Sequence, residues 1–286
     1  MSSPTPLVMG AVAYDAKVVT IWDGFQQYFR SHGLEFDYVL YSNYEKQVEA
    51  HALGHIQAAW NSPLAWLQSE RVAAGLGRRA EAICMRDTDR DLTSVIIVRA
   101  DSAIHSLPDL RGKNVAVGAQ DSPQATLIPL GFLASHGLTP HDDFHVVVFD
   151  RLVGKHGDHI GGERDAVRAL LRGDADAACI VDTNHLGFSR EGTIPSGAAR
   201  TLAQTPVYDH CNMTVFDDAP AEQVARLREL LLGMSYADAE VRPLLDLEGL
   251  KRWMPGRVEG YAQLSASLDR FGTVDAFVSN LVARCK

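Results

Sequence analysis

Between Asp150 and Ala169 the chain reads DRLVGKHGDHIGGERDAVRA, with His156 and His159 three residues apart, Asp158 between them and glycines on both sides. Side chains of these types support three kinds of chemistry. His156 and His159 can ligate one divalent metal, with Asp158, Glu163 or a residue of the later segment YDHC completing the set. A histidine beside a carboxylate can instead move protons near neutral pH, as a lyase, decarboxylase or hydrolase requires, with Lys155, Asp158 and Glu163 close by in the chain. The third reading is a polar loop held between glycines, since H-x-x-H in a Gly-rich segment lacks the helical i, i+4 spacing of the H-E-x-x-H zinc signature.

Other segments carry chemistry of their own. In YDHC, His210 precedes Cys211, which reads as a thiolate nucleophile, a metal ligand or a buried structural thiol. An enzyme reading therefore draws on His156, His159, Glu163 and Cys211, and a metal reading on His156 and His159. Ser122-Pro123 has the pattern of a helix N-cap followed by proline at the first helical position.

These residues need elements to position them. The runs PLVMGAVAY, FDYVLYSN, HIQAAWN, LTSVIIVRADS, KNVAVG, FHVVVFD, DAACIVD and YDHCNMTVF read as strands. AKVVTIWDGFQQYFRSHG, YEKQVEAHALG, QATLIPLGFLASHGL and ERDAVRALLRG read as helices, Gly187–Gly197 as a loop, and the chain after the last strand as mostly helical. Strands alternating with helices predict an α/β fold with mainly parallel sheets. The stretch 150–169 then lies between a strand and a helix, at the strand's carboxyl end, where open α/β sheets bind ligands.

Composition narrows the function. The 286 residues carry a net charge of −9, which argues against nucleic acid or an anionic membrane as partner. No window approaches 18 apolar residues, so membrane insertion is not expected. Cys84, Cys179, Cys211 and Cys285 show no C-x-x-C pair, and Cys84 and Cys179 sit in apolar runs as buried thiols would. If Met1 is the native start, a cytoplasmic location is expected; if a signal peptide was removed, a periplasmic or extracellular one.

Four segments resemble the phosphonate-type solute-binding proteins of ABC transporters: GHIQAAWNSPLAWL, LTSVIIVRADSAIHSLPDLRGKNVAVGAQDS, AVRALLRGDADAACIVD and TPVYDHCNMTVFDDAP. The resemblance implies a two-lobed type II periplasmic-binding-protein-like fold with two chain crossovers and a ligand cleft between the lobes. Lobe one would comprise 1–98 and 206–286, and lobe two 99–205. It places Tyr14, Trp60, Asn61, Ser62, Ser122, Gln124, Asp182 and His210 at the ligand, with His156 and His159 in a rebuilt loop before the helix that carries Glu163. The family's Ser/Thr-rich phosphonate cradle falls on Asp121–Ala125, where Ser122 is kept but Pro123 and Gln124 replace hydroxyl residues. Pro123 removes a backbone N–H and Asp121 repels a dianion.

Two functions follow. The chain binds a small polar or anionic metabolite, with an ABC permease as partner if it is exported, and needs no certain cofactor, a divalent metal being the one considered. Alternatively it is a cytoplasmic enzyme on the same scaffold, because fold does not fix function.

Overall fold

The structure, a computed structural model, describes residues 5–150, 160–272 and 274–286. His156 and His159, together with Lys155 and Asp158, lie outside the described residues. In chain order the elements are β1 (Leu7–Val12), α1 (Lys17–Ser31), β2 (Phe36–Tyr41), α2 (Tyr44–Ala52), β3 (Ala58–Asn61), α3 (Pro63–Gly75) and β4 (Ala80–Arg86). There follow β5 (Ser94–Arg99), β6 (Asn114–Val117), α4 (Ile128–Ser135), β7 (His145–Val148), α5 (Ile160–Arg172), β8 (Ala177–Val181), α6 (Asp182–Glu191) and β9 (Ala199–Gln204). The chain closes with β10 (Asn212–Phe216), α7 (Ala221–Gly233), α8 (Arg242–Glu248), β11 (Trp253–Pro255), α9 (Ala262–Phe271) and α10 (Asp275–Cys285).

The fold is α/β, organised as two units. Unit 1 takes residues 1–90, 209–260 and 273–286, and unit 2 takes 91–208 and 261–272. The first change of unit comes at 90/91 rather than 98/99, because β5 pairs along its length with β8 and β9 of unit 2. Asp91 adopts φ 58° at this passage, a left-handed conformation that Asp tolerates better than most residues. The return at 208/209 falls three residues after the expected 205/206. A further excursion at 261–272 puts α9 in unit 2, so the chain changes unit four times instead of twice.

Each unit is built on a mixed sheet, not the mainly parallel one that alternation of strands and helices predicts. In unit 1 the order is β11-β4-β10-β3-β1-β2. β1 runs parallel to β2 and β3, while β10 is antiparallel to both β3 and β4, and β11 is antiparallel to β4. In unit 2 the order is β7-β6-β8-β5-β9, with β6 parallel to β7 and β8, and β5 antiparallel to β8 and β9. Of the three reversed strands, β5 and β10 are the first strands after a change of unit, so no crossover helix within the same sheet sets their direction, and β11 is an antiparallel edge strand of three residues.

The cores follow the two-residue period of the strands. In unit 1, Leu7, Met9 and Ala11 face a cluster with Trp22, Phe25 and Phe29 of α1, Leu227 and Leu231 of α7, and Trp253. Val12 faces the opposite layer, with Val48, Ala65, Val72 and Leu281 from α2, α3 and α10. In unit 2, Val95, Ile97, Ala116 and Ala178 pack under α5 and α6, and Ile96, Val98, Val115 and Cys179 under α4. Cys84 and Cys179 are buried thiols as expected, and burial pushes each up to about 12.

Candidate ligand-binding site

In unit 1, β1, β2 and β3 are each followed by a helix, so the amino ends of α1, α2 and α3 gather at the carboxyl edge of the parallel strands. Asn43 caps α2 by accepting from Lys46 N at 2.8 Å, and Ser62 caps α3 by accepting from Ala65 N at 3.3 Å, with Pro63 at the first helical position. Tyr14, half-buried just after β1, lies under Lys17, whose Nζ is 5.9 Å from the ring centroid. Trp60 is almost fully buried, edge-on to Trp22 and Trp253, and the Arg86 guanidinium sits over its ring at 5.4 Å. Asn61 is the hub of this edge. Its Oδ1 accepts from Gln47 Nε2 at 2.7 Å, while its Nδ2 donates to Thr214 Oγ1 at 2.9 Å and Ser69 Oγ at 3.2 Å. The Asn61 amide therefore holds β3, α2, α3 and β10 together.

Unit 2 repeats this plan. After β6, Gly118–Ser122 leads into a wide turn at Pro123–Leu127 and then α4. Ser122 caps the turn by accepting from Ala125 N at 3.2 Å, and Thr126 Oγ1 donates to Ala119 O at 2.8 Å. A relay supports the turn from below: Ser94 Oγ donates to Gln124 O at 2.5 Å, which leaves Tyr208 OH, 2.8 Å away, to donate to Ser94. The Gln124 backbone is thus fixed from β5. Glu163, in the first turn of α5, is fully buried, and its Oε2 accepts from Val181 N at 2.9 Å and Asn184 Nδ2 at 3.0 Å. Two glycines allow this approach. A Cβ at Gly162 would overlap Phe149 O, and one at Gly118 would meet the Ala125 Cβ at 2.8 Å. Asp182 opens α6, with Oδ2 accepting from Thr93 Oγ1 at 2.9 Å, and Gln204 Nε2 donates to the same hydroxyl at 2.7 Å. Asp121, Glu163 and Asp182 thus all stand at the carboxyl edge of this sheet.

His210 and Cys211 lie elsewhere in unit 1, in a buried cluster with Asp89. Cys211 Sγ is 3.1 Å from His210 Nδ1, and Asp89 Oδ1 is 3.4 Å from the same nitrogen. Arg86 forks onto Asp89, Nε to Oδ2 at 2.6 Å and Nη2 to Oδ1 at 2.9 Å, and reaches Glu248 Oε1 at 3.2 Å. Burial works against the charge on Asp89, but the guanidinium overrides it and holds the carboxyl far below the usual carboxylate range. Burial pushes the Cys211 thiol up. A nucleophile–base–carboxylate relay places its outer members on opposite ring nitrogens. Here sulfur and carboxylate share Nδ1, so this geometry gives the enzyme reading no support.

Sequence reasoning missed several of these residues. Asp89, Arg86 and Glu248 take on meaning only when the long-range pairing of β4, β10 and β11 is known, although the charged run RDTDRD after β4 was a visible signal. Ser94, Tyr208, Thr93 and Gln204 meet through pairings across the second sheet, which local periodicity does not report.

The sequence matches, over residues 9–261, the family described as ABC transporter, phosphonate, periplasmic substrate-binding protein. Among solved structures, PhnD1 from Prochlorococcus marinus in complex with methylphosphonate superposes with a TM-score of 0.67 at 17% identity, covering 94% of this chain and 99% of that chain. XAC2383 from Xanthomonas citri bound to ATP gives a TM-score of 0.67 at 18% identity, covering 97% and 98%. The periplasmic aliphatic sulphonate binding protein SsuA from Escherichia coli gives 0.57 at 16% identity, covering 96% and 89%. The fold is thus shared by a protein in complex with methylphosphonate, one bound to ATP and one described as an aliphatic sulphonate binding protein, and it does not by itself name a ligand for this chain. Among the described residues, no helix is long and apolar enough to cross a membrane. The family match runs through β1–β11, and the chain belongs to the phosphonate-type family of periplasmic substrate-binding proteins of ABC transporters.

Proposed function

We propose that this chain binds a small solute bearing one acidic group and no more than a single net negative charge, a zwitterion or a monoanion, and delivers it to an ABC permease. The observation that carries the reading is the position of three carboxyl groups, Asp121, Glu163 and Asp182, at the carboxyl edge of the unit 2 sheet, beside the turn capped by Ser122. In that turn Ser122 N, Ala125 N, Thr126 N and Leu127 N are bonded within the chain, Pro123 has no N–H, and the neighbouring carboxyl groups disfavour a dianion. A solute with an ammonium group satisfies both features.

The candidate contact residues of unit 1 are Tyr14, Trp60 and Ser62, with aromatic and hydroxyl groups, and those of unit 2 are Ser122, Gln124 and Asp182, with polar groups. Asn61 positions Trp60 and Ser62 through its buried amide, and Glu163 sets the charge preference. His210 belongs to the Asp89 cluster, and no role is assigned to His156 and His159. The comparisons support this reading at the level of family and fold.

The test is a thermal-shift panel of amino acids, aminoalkylphosphonates, sulfonates, monocarboxylates, methylphosphonate and sulfate, followed by calorimetry on the binders. A ligand that binds only the folded protein stabilises it by about 2.7 kcal/mol at a hundredfold excess over Kd. Zwitterions or monoanions are expected to shift the melt, and Glu163→Gln to move preference toward dianions. Preferential binding of a dianion by the wild type, or no shift from any compound, overturns the proposal.

A further inference from the structure

The Asp89 cluster assembles three metal-ligating atom types outside the residues assigned to the solute. The carboxylate oxygen, imidazole nitrogen and sulfur of Asp89, His210 and Cys211 all lie within 4.8 Å of one another. The three residues are 1%, 8% and 5% exposed, so water competes little for these atoms.

Hydrogen bonding among the three leaves Nδ1 overcommitted. It faces Sγ at 3.1 Å and Asp89 Oδ1 at 3.4 Å. As a lone-pair acceptor for the thiol proton, Nδ1 sets its electrons against those of the carboxylate. As an N–H donor it divides one proton between two acceptors. A tetrahedral ion with Zn–N of about 2.0–2.1 Å and Zn–S of about 2.3 Å separates N from S by about 3.6 Å and N from a carboxylate O by about 3.3 Å. The observed spacings reach that geometry if the sulfur swings outward by about half an ångström.

Arg86 holds Asp89 Oδ2 from outside at 2.6 Å while lying over Trp60, the arrangement by which outer partners orient a ligating carboxylate. Sulfur, nitrogen and oxygen in one set favour a borderline cation over magnesium or calcium.

We propose that Asp89, His210 and Cys211 form a site for one borderline divalent cation, zinc being the best match, with a fourth coordination position left for water or an exogenous ligand. The site is independent of the solute reading. Its test uses untagged full-length protein treated with chelator, given one equivalent of Co²⁺ or Zn²⁺ and desalted, with elemental analysis and absorption spectra. Wild type is expected to retain one ion per chain and, with Co²⁺, to show a thiolate-to-cobalt band in the near ultraviolet beside visible ligand-field bands. Cys211→Ser is expected to lose that band and to bind at least ~10-fold more weakly, while His156→Ala/His159→Ala behaves as wild type. No retained metal, retained cobalt without a thiolate band, or loss of metal in the double histidine variant instead overturns the proposal. If Cys211→Ser does not fold, the wild-type thiolate band decides the question.

Discussion

His51 gives a titration whose sign and size follow from its surroundings. Its ring lies buried near the end of α2, stacked on Phe216 at 3.9 Å with 2° between planes. Burial, helped by the charge of Arg78, lowers its pKa from the ordinary 6.5 to about 3, and neither ring nitrogen has a hydrogen-bond partner among the described residues to offset it. As pH falls the unfolded chain takes up this proton first, so the contribution of His51 to stability is complete above the unfolded pKa. It declines as pH falls toward the folded one. At about pH 5 the gap of roughly 1.5 units below the unfolded pKa corresponds to about 2 kcal/mol lost. For a domain of 150–250 residues that is a fall in Tm of about 4–8 °C relative to pH 7.5. His51→Phe keeps the aromatic stack and removes the titration. Calorimetric melts at the two pH values are expected to show a smaller pH-dependent drop for the variant by this amount, whatever its absolute stability. Equal drops in the two proteins would refute the assignment.

Three further expectations rest on geometry alone. Gly162→Ala drives a methyl group into Phe149 O, so it should lower stability by about 1–3 kcal/mol in denaturant melts and weaken solute binding measured by calorimetry. Asn61→Leu removes one hydrogen bond each from Gln47 and Thr214, which keep Trp60 O and Asn212 Oδ1 as partners, and a loss of about 1 kcal/mol per bond is expected on urea unfolding. Tyr208→Phe removes the first donor of the relay through Ser94 to Gln124, at a cost of about 1 kcal/mol, read by the same titration and by faster amide exchange at the capped turn.

Local pattern was enough to read most strands, because β1 and β8 are unbroken apolar runs and β3 and β10 are short, mainly apolar segments buried along their whole length. It was also enough to read Ser122 as a cap, since Ser-Pro chemistry acts within three residues, whereas the same chemistry at Ser62-Pro63 is a finding of the structure. It could not report the direction of β5 and β10, because side-chain alternation is the same whichever way a strand runs. β4, β9 and β11 were passed over: AEAICMR and ARTLAQ alternate weakly, and β11 is three residues long. The helix α6 was hidden by Gly187 in a segment that reads as a loop, and tertiary packing of Phe188 outweighs that propensity. At the site, a residue's type was visible but its engagement was not. Asn61 looks like a ligand group in WNSP and proves to be a buried hub, because its partner Thr214 is 153 residues away.

The sheet of unit 1 also dictates an order of events at the ribosome. β3 and β4 run in the same direction but are never neighbours, since β10 lies between them and pairs with both. About 126 residues separate the end of β4 from the start of β10, and at a synthesis rate of about 5–20 residues per second β10 emerges roughly 6–25 s later. During that interval β3 and β4 each present an unpaired edge across the place β10 will take, a template for pairing with any passing strand. The nascent chain has most need of a holding chaperone in this window, and the arrival of Asn212–Phe216 closes it.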